Sequence, residues 1–278
     1  MRKFLVSEVF KWQSFLLKVW ISLTFCALPW VYAYADQVLS LNPRPEVKLD
    51  LLLWEPYPAK PDTVILLLPG GPGKLDLSQQ NGQIKTATPY LYSKQRGALL
   101  STKAAVVVVN APSDQTDLTQ SYRLSAAHAQ DLSVAVAEVR RRFPAARLVL
   151  LAHSRGTLSA GAILQTMPEQ VSAAILFAGL YQASQPGPDM PSAGPGLSNM
   201  NWSEIKIPIL AIHHQYDACP VAPYAAALAS KLELITVSGQ PEARLDNPCG
   251  PASNHWFASQ EAALAVAIKR WLARQHSQ

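Results

Sequence analysis

Hydrophobic positions fall along the chain in short unbroken runs, set between longer amphipathic or polar stretches. Thr63–Leu68, Ala104–Val109, Arg147–Ala152, Ala173–Ala178 and Ile207–His213 are the runs. Each is too short for an ordinary helix and too continuous for a strand with a solvated face, so they predict strands covered on both sides. Val47–Trp54 alternates in part, with Val47, Leu49 and Leu51 against Lys48 and Asp50, and predicts an early, edge-type strand after an extended lead-in at Asn42–Pro45. Leu234–Val237 predicts a last strand.

Between these runs the period changes. From Ser125 to Phe143, Ala126, Ala129, Leu132, Val136 and Val139 recur at steps of three and four, the spacing of one helix face. Arg140, Arg141 and Arg142 match the negative end of that helix, and Pro144 follows its stop. Gly156–Thr166, Val221–Leu232 and the amphipathic Ser259–Arg274 read as further helices. Strands alternating with helices imply an α/β class fold, a mostly parallel central sheet with helices on both faces. Leu75–Leu100 is polar and irregular and is expected to rim a site. Tyr181–Ile205 is rich in Gly, Pro and Ser, and too short and broken to form a large helical cap.

The first 35 residues stand apart. A basic start precedes an apolar run, Val19–Leu28, and then Ala33-Tyr34-Ala35. That order predicts a secretory signal peptide over residues 1–35, cut after Ala35, followed by a single domain over 36–278 in the periplasm or outside the cell. The alternative is a retained anchor, since Phe15–Ala35 is about long enough to span a bilayer. Cleavage would leave no stable membrane insertion. The chain has 278 residues, 49% hydrophobic and 15% charged, with a net charge of +5. Residues 1–35 hold four of its 24 basic and one of its 19 acidic residues, so the remainder carries only +2. No basic patch with interleaved aromatics remains, and a nucleic-acid partner is not expected. Cys26 leaves with the leader, and Cys219 and Cys249 form an even pair, read as one disulfide of an exported chain. No close pair of ligands has the spacing of a metal site.

The chemistry centres on Leu148–Gly161, where a strand-like run stops at Ala152-His153-Ser154-Arg155-Gly156 and a helix begins. A sharp strand-to-helix turn exposes its central serine, and small residues two positions to either side let strand and helix close around it. Pro69-Gly70-Gly71-Pro72-Gly73, just beyond a buried strand, lets backbone amides turn toward a ligand. A serine hydroxyl needs a base, and the base an orienting carboxylate. His128, His153, His213, His214 and His276 each have a simpler place in a helix, strand or tail. His255 lies in the loop between the last strand and the closing helix, which can overhang the carboxyl ends of the strands. Asp217, in the loop after the strand ending near His213, is the preferred acid, with Asp246 and Asp189 as competitors. A Cys219–Cys249 bridge would tie the Asp217 and His255 loops together.

From Val47 to Arg274 the chain resembles the α/β-hydrolase family. The resemblance rests on the Ala-x-Ser-x-Gly turn at Ser154, the order Ser154, Asp217, His255, and the glycine loop after an early strand. It implies a Ser-Asp-His hydrolase without cofactor or metal, with oxyanion-binding amides at Arg155 and Gly71. Two departures are visible. Ala152 replaces the first elbow glycine, and Pro69 stands where many relatives carry histidine. The Gly-Gly-Pro-Gly loop also looks like that of proline iminopeptidases, which normally carry the helical cap that this chain lacks. The expectation is therefore an exported carboxylic ester hydrolase acting on a small-molecule acyl substrate. An aminopeptidase and an inactive binding protein on the same fold are the alternatives.

Overall fold

The computed structural model describes residues 34–56, 60–80, 83–86, 96, 104–185, 193–241 and 246–275. Residues 1–33 of the expected leader, Asp189 and His276 lie outside the described residues, whereas Tyr34 and Ala35, just before the expected cut, begin a strand. In chain order the elements are β1 (Tyr34–Arg44), β2 (Val47–Pro56), β3 (Thr63–Leu68), β4 (Leu77–Gln80), β5 (Gln83–Thr86), β6 (Ala104–Val109), α1 (Gln120–Arg123) and α2 (Ala126–Arg142). They continue with β7 (Arg147–His153), α3 (Gly156–Thr166), β8 (Ala173–Phe177), β9 (Ile209–His214), α4 (Tyr224–Ala229), β10 (Glu233–Val237) and α5 (Glu261–Gln275).

Eight strands form one sheet in the order β1-β2-β6-β3-β7-β8-β9-β10. From β6 to β10 all neighbours are parallel, while β1 and β2 join antiparallel. The unbroken apolar runs are explained by burial on both faces. Val64, Leu66 and Leu68 of β3 join Leu148, Leu150 and Ala152 of β7 in one core, under Leu132, Val136 and Val139 of α2 and Leu158 and Ile163 of α3. Ile65, Leu67, Val149 and Leu151 face the other way, into a core closed by Leu264, Ile268, Trp271 and Leu272 of α5. The mostly parallel sheet with helices is the fold class that the alternating pattern implies.

Several elements differ from the sequence reading. Val47–Trp54 is not an edge strand, because β1 pairs along its outer side. β1 was illegible because Asp36, Gln37, Ser40, Asn42 and Pro43 interrupt its apolar period; Leu39 and Leu41 pack against the core and Pro43 is buried. Within Leu75–Leu100 the described part includes a two-stranded hairpin, β4 with β5. The Val221–Leu232 helix shrinks to α4, and α1 adds one turn before α2. In Tyr181–Ile205 the described residues contain an isolated antiparallel bridge, Ser184 with Gly194, and a 3-10 turn, Trp202–Glu204. No helix among the described residues is long and apolar enough to cross a membrane.

Ion pairs fasten β1 to the body, from Asp36 to Arg96 and from Arg44 to Asp114 and Asp131, and the last has the most buried carboxylate. Arg44 Nε donates to Asp131 Oδ1 at 2.8 Å, and Nη2 reaches Oδ2 at 3.1 Å and the Tyr122 hydroxyl at 2.7 Å. Tyr122 donates in turn to Asp131 at 2.8 Å. The Asp131 side chain on α2 is 1% exposed, against 18% for Arg44. A buried carboxylate that loses its cation keeps its desolvation cost, so Arg44→Ala is expected to destabilise the fold by about 3 kcal/mol. Urea unfolding of Arg44→Ala beside Arg44→Ala/Asp131→Asn measures this. The double variant should recover part of the loss, and an unshifted midpoint in the single variant would show that the pair does not hold the edge.

Candidate active site

Ser154 follows β7 directly and takes a left-handed conformation, with φ of +50°. For a residue with a Cβ this is strained by about 1–3 kcal/mol, and it persists only where its surroundings over-determine it. Ser154 N–H donates to Phe177 O at 2.9 Å, on neighbouring β8. Its carbonyl accepts from the Thr157 amide at 2.9 Å and the Thr157 hydroxyl at 2.7 Å, inside the first turn of α3. Gly156 is there of necessity: a Cβ at this position would stand 2.1 Å from Leu68 O at the end of β3. The strand and helix close because residue 156 has no side chain.

The structure brings the three residues chosen from the sequence into one hydrogen-bonded chain. His255 Nε2 lies 2.8 Å from Ser154 Oγ, and His255 Nδ1 lies 2.8 Å from Asp217 Oδ2. The Asp217 carboxylate is fully buried and His255 is 1% exposed. An ionised Asp217 can only accept, so His255 carries its proton on Nδ1 and presents Nε2 to the serine hydroxyl. Asp217 Oδ1 accepts the Cys219 amide at 2.9 Å. Burial by itself pushes the Asp217 carboxyl up, but the His255 charge and the hydrogen bonds from His213 and His255 outweigh it and hold it well below the usual carboxylate range. The competing acid Asp246 is exposed.

The loops that carry acid and base are tied together. Cys219, two residues after Asp217, is disulfide-bonded to Cys249 in the His255 loop. Asn254 Nδ2 donates to Tyr216 O at 3.3 Å, and Trp256 Nε1 to Cys249 O at 2.8 Å. His255 itself sits in a 3-10 turn, Asn254–Trp256, which closes on the left-handed residue Phe257.

The glycine loop after β3 lies against the serine. A Cβ on Gly70 would be 3.0 Å from Ser154 Cβ and 2.8 Å from His153 O. Gly71 has φ of +55° and open space where its Cβ would be, which leaves backbone as its only presence on that side. Arg155 occupies the position after Ser154, and its side chain is ion-paired with Asp117 at 3.0 Å. Its charge is thus directed to the segment before α1, not offered to a substrate.

Sequence reasoning missed two histidines that brace the site. His213 Nε2 lies 2.8 Å from Ala222 O and 3.1 Å from Asp217 Oδ2. Both are acceptors, so Nε2 holds the proton and Asp217 receives a second imidazole bond. His153 Nε2 donates to the backbone carbonyl of His255 at 3.0 Å, and its ring packs edge-on to Trp256. The turn at Ser154 does aim His153 away from the hydroxyl, but toward the loop that carries the base. His214 accepts the Tyr216 amide through Nδ1 at 3.1 Å. His128 lies in α2 at 2.9 Å from Ser159 Oγ. The only sequence signal for these roles was adjacency, at His153 to Ser154 and at His213 to the Asp217 loop. Among the described residues no group of three or more His, Cys, Asp or Glu could hold a metal ion.

No protein-family model matches the sequence, and no curated protein matches it in sequence. Solved structures do match. Est1E from Butyrivibrio proteoclasticus aligns with a TM-score of 0.59 at 13% identity, covering 87% of this chain and 99% of its own. XC6422 from Xanthomonas campestris, described as an α/β serine hydrolase without lid, aligns at 0.55 and 17% identity, covering 86% and 94%. A dienelactone hydrolase from Anabaena variabilis aligns at 0.55 and 17%, covering 87% and 98%. The fold is therefore the α/β-hydrolase fold.

Buried neutral histidines make this protein sensitive to acid. Burial, with the His255 charge second, lowers His153 to about 3. Burial, then the charges of Arg123 and Arg44, lowers His128 to about 3. Between the ordinary histidine value and 3, the unfolded chain binds these two protons and the folded chain does not. Stability is therefore retained above about pH 6.5 and lost as pH falls toward 3. From pH 7 to pH 5 the loss is expected to be about 2 kcal/mol for each histidine. Urea unfolding at the two pH values measures it, with His128→Gln expected to remove roughly half of the difference; equal stability at both would contradict the neutral assignment.

Proposed function

We propose that this protein is an exported serine hydrolase that cleaves carboxylic esters, or closely related acyl bonds, through Ser154, His255 and Asp217. The observation that carries the reading is the relay from Ser154 Oγ to His255 Nε2 and from His255 Nδ1 to Asp217, at 2.8 Å in both steps. The alignments add support, since the similar structures include a lidless serine hydrolase and a dienelactone hydrolase.

In the proposed reaction His255 Nε2 takes the Ser154 proton as Oγ attacks the acyl carbonyl, and Asp217 stabilises the imidazolium. The oxyanion is met by the backbone amides of Gly71 and Arg155, each worth on the order of a hundredfold to a thousandfold in rate. His255 then protonates the leaving alcohol. Water, deprotonated by the same nitrogen, attacks the acyl-serine and releases the acid, restoring Ser154. Nucleophile, base, acid and oxyanion donors are all supplied by the chain, so the reaction as written uses no cofactor. The described part of Tyr181–Ile205 adds no helical cap, which favours an esterase over an aminopeptidase of the capped kind. Export is supported by the leader-like residues 1–35 and by the Cys219–Cys249 bond. Pairing of β1 with β2 begins at Tyr34 with Pro56, so cleavage after Ala35 would remove the first two residues of that strand and leave it paired from Asp36 with Trp54 onward.

Hydrolysis of p-nitrophenyl acetate and labelling by a fluorophosphonate test the reading. Wild type should do both; Ser154→Ala should lose labelling and at least about a thousandfold in kcat, and Asp217→Asn roughly ten-thousandfold. Equal labelling of wild type and Ser154→Ala would sink it. The bridge spans 30 residues and ties acid to base, so Cys219→Ala/Cys249→Ala is expected to lose about 3–4 kcal/mol of stability and part of the activity. Unchanged melting and unchanged kcat in that variant would leave the bridge without either role.

A further inference from the structure

We infer that Arg123 is a positioning residue for the oxyanion-binding loop, holding the Gly71 amide in place by clamping the peptides on either side of it; the inference rests on the hydrolase reading above. Arg123, the last residue of α1, is 1% exposed. Its Nε donates to Leu118 O at 3.0 Å and Nη1 to Ser159 Oγ at 2.7 Å. Its Nη2 donates to two carbonyls of the glycine loop, Pro69 O at 3.0 Å and Gly71 O at 3.2 Å. Four of the five N–H bonds of the guanidinium are thereby spent on backbone or hydroxyl oxygens of the site's framework.

The arrangement decides which way the Gly71 amide points. Pro69 C=O shares a peptide plane with Gly70 N–H, and Gly71 C=O shares one with Pro72. The plane between them carries Gly70 C=O and Gly71 N–H, which point in opposite directions across a trans peptide. Gly70 C=O is turned inward by the Gly73 amide at 3.1 Å. Gly71 N–H is therefore turned outward, on a loop whose Gly70 abuts Ser154. A segment with glycine at 70, 71 and 73, two of them at positive φ, has little conformational preference of its own. The clamp supplies what the loop lacks. Gly73 makes room for it, since a Cβ there would come within 3.0 Å of Arg123 Nη2.

Ser159 extends the clamp to the other half of the hole. It lies on α3, the helix that starts beside Arg155. Arg123 donates to its oxygen, which leaves the serine proton for His128 Nε2 at 2.9 Å. Lysine cannot reproduce this pattern, because only a planar fork reaches the loop carbonyls with one nitrogen and the α3 hydroxyl with the other.

Steady-state kinetics on p-nitrophenyl acetate for Arg123→Met, Arg123→Lys and Ser159→Ala test the inference, with binding of a trifluoromethyl ketone as an oxyanion mimic. In folded Arg123→Met, kcat should fall about tenfold to a hundredfold with KM little changed, and ketone affinity should fall in parallel. The pH midpoint of kcat should stay where it is in wild type, because the His255–Asp217 pair is untouched. Arg123→Lys keeps the buried charge and carries the measurement if Arg123→Met cannot be purified; it too should lose kcat and ketone affinity together, and Ser159→Ala less. A folded variant that keeps wild-type kcat, or whose loss lies in KM or in the pH midpoint, overturns the inference. Wild type that neither turns over the ester nor labels with fluorophosphonate removes the hydrolase reading, and this one with it.

Discussion

Everything at this site depends on a serine held in a backbone conformation that serine disfavours. At φ of +50° Ser154 costs the fold on the order of 1–3 kcal/mol, and three elements meet to hold it. Phe177 of β8 takes its amide, Thr157 of α3 takes its carbonyl twice, and β3 presses Leu68 O against the missing side chain of Gly156. The central strands β3, β7 and β8 lie side by side in the sheet. Their burial on both faces is thus more than core stability. It is the rigid support that keeps the strained residue from relaxing into the ordinary helical region.

The second constraint is a carboxylate out of reach of water. Burial alone would push Asp217 toward its neutral form, which could not orient an imidazole proton. Its oxygens accept from His255, His213 and the Cys219 amide, so its charge is held by hydrogen bonds that form only in the folded chain. Two of these come from its own strand end and loop, His213 being the last but one residue of β9 and Cys219 following. The third comes from a loop far along the chain, and this is where the disulfide and the Asn254–Tyr216 contact act. Acid and base stay in register through several weak ties and one covalent one.

What could be read in advance follows from how local each feature is. The elbow was legible because its requirements, small residues two positions either side of Ser154, lie within five residues of sequence. The parallel sheet was legible because strands buried on both faces leave no polar position in their runs. β1 was not, since an edge strand that meets the core through Leu39 and Leu41 has little apolar period to show. His255 and Asp217 were chosen by loop placement, with Asp246 left open; sequence alone holds no distance that separates the two acids. The contacts of Arg123 with Pro69, Gly71 and Ser159 span 36 to 54 residues, and no local pattern announces them. Resemblance supplied the expected chain order and the expectation of oxyanion-binding amides at Gly71 and Arg155, but not the groups that hold them.

The histidines show why residue type alone could not pick out the base. His213 and His255 contact the buried Asp217 carboxylate and His153 packs against His255, and each of the three has a nitrogen within hydrogen-bond reach of an acceptor. They differ in what the other nitrogen meets. His213 spends its proton on Ala222 O and Asp217 at once, and its Nδ1 has no hydrogen-bond partner among the described residues. His153 donates to a carbonyl and is held neutral by burial. His255 alone of the three has the acid at one nitrogen and a hydroxyl at the other. In the proposed reaction a proton arriving from Ser154 finds there an imidazole whose other nitrogen is already bonded to a charge of the right sign. In His153 it would create a buried cation bonded to a carbonyl instead of a carboxylate, and in His213 the nitrogen facing Asp217 already carries the proton while Nδ1 meets no hydroxyl. The division of labour among the histidines is set by their second partners, which is a property of the folded chain.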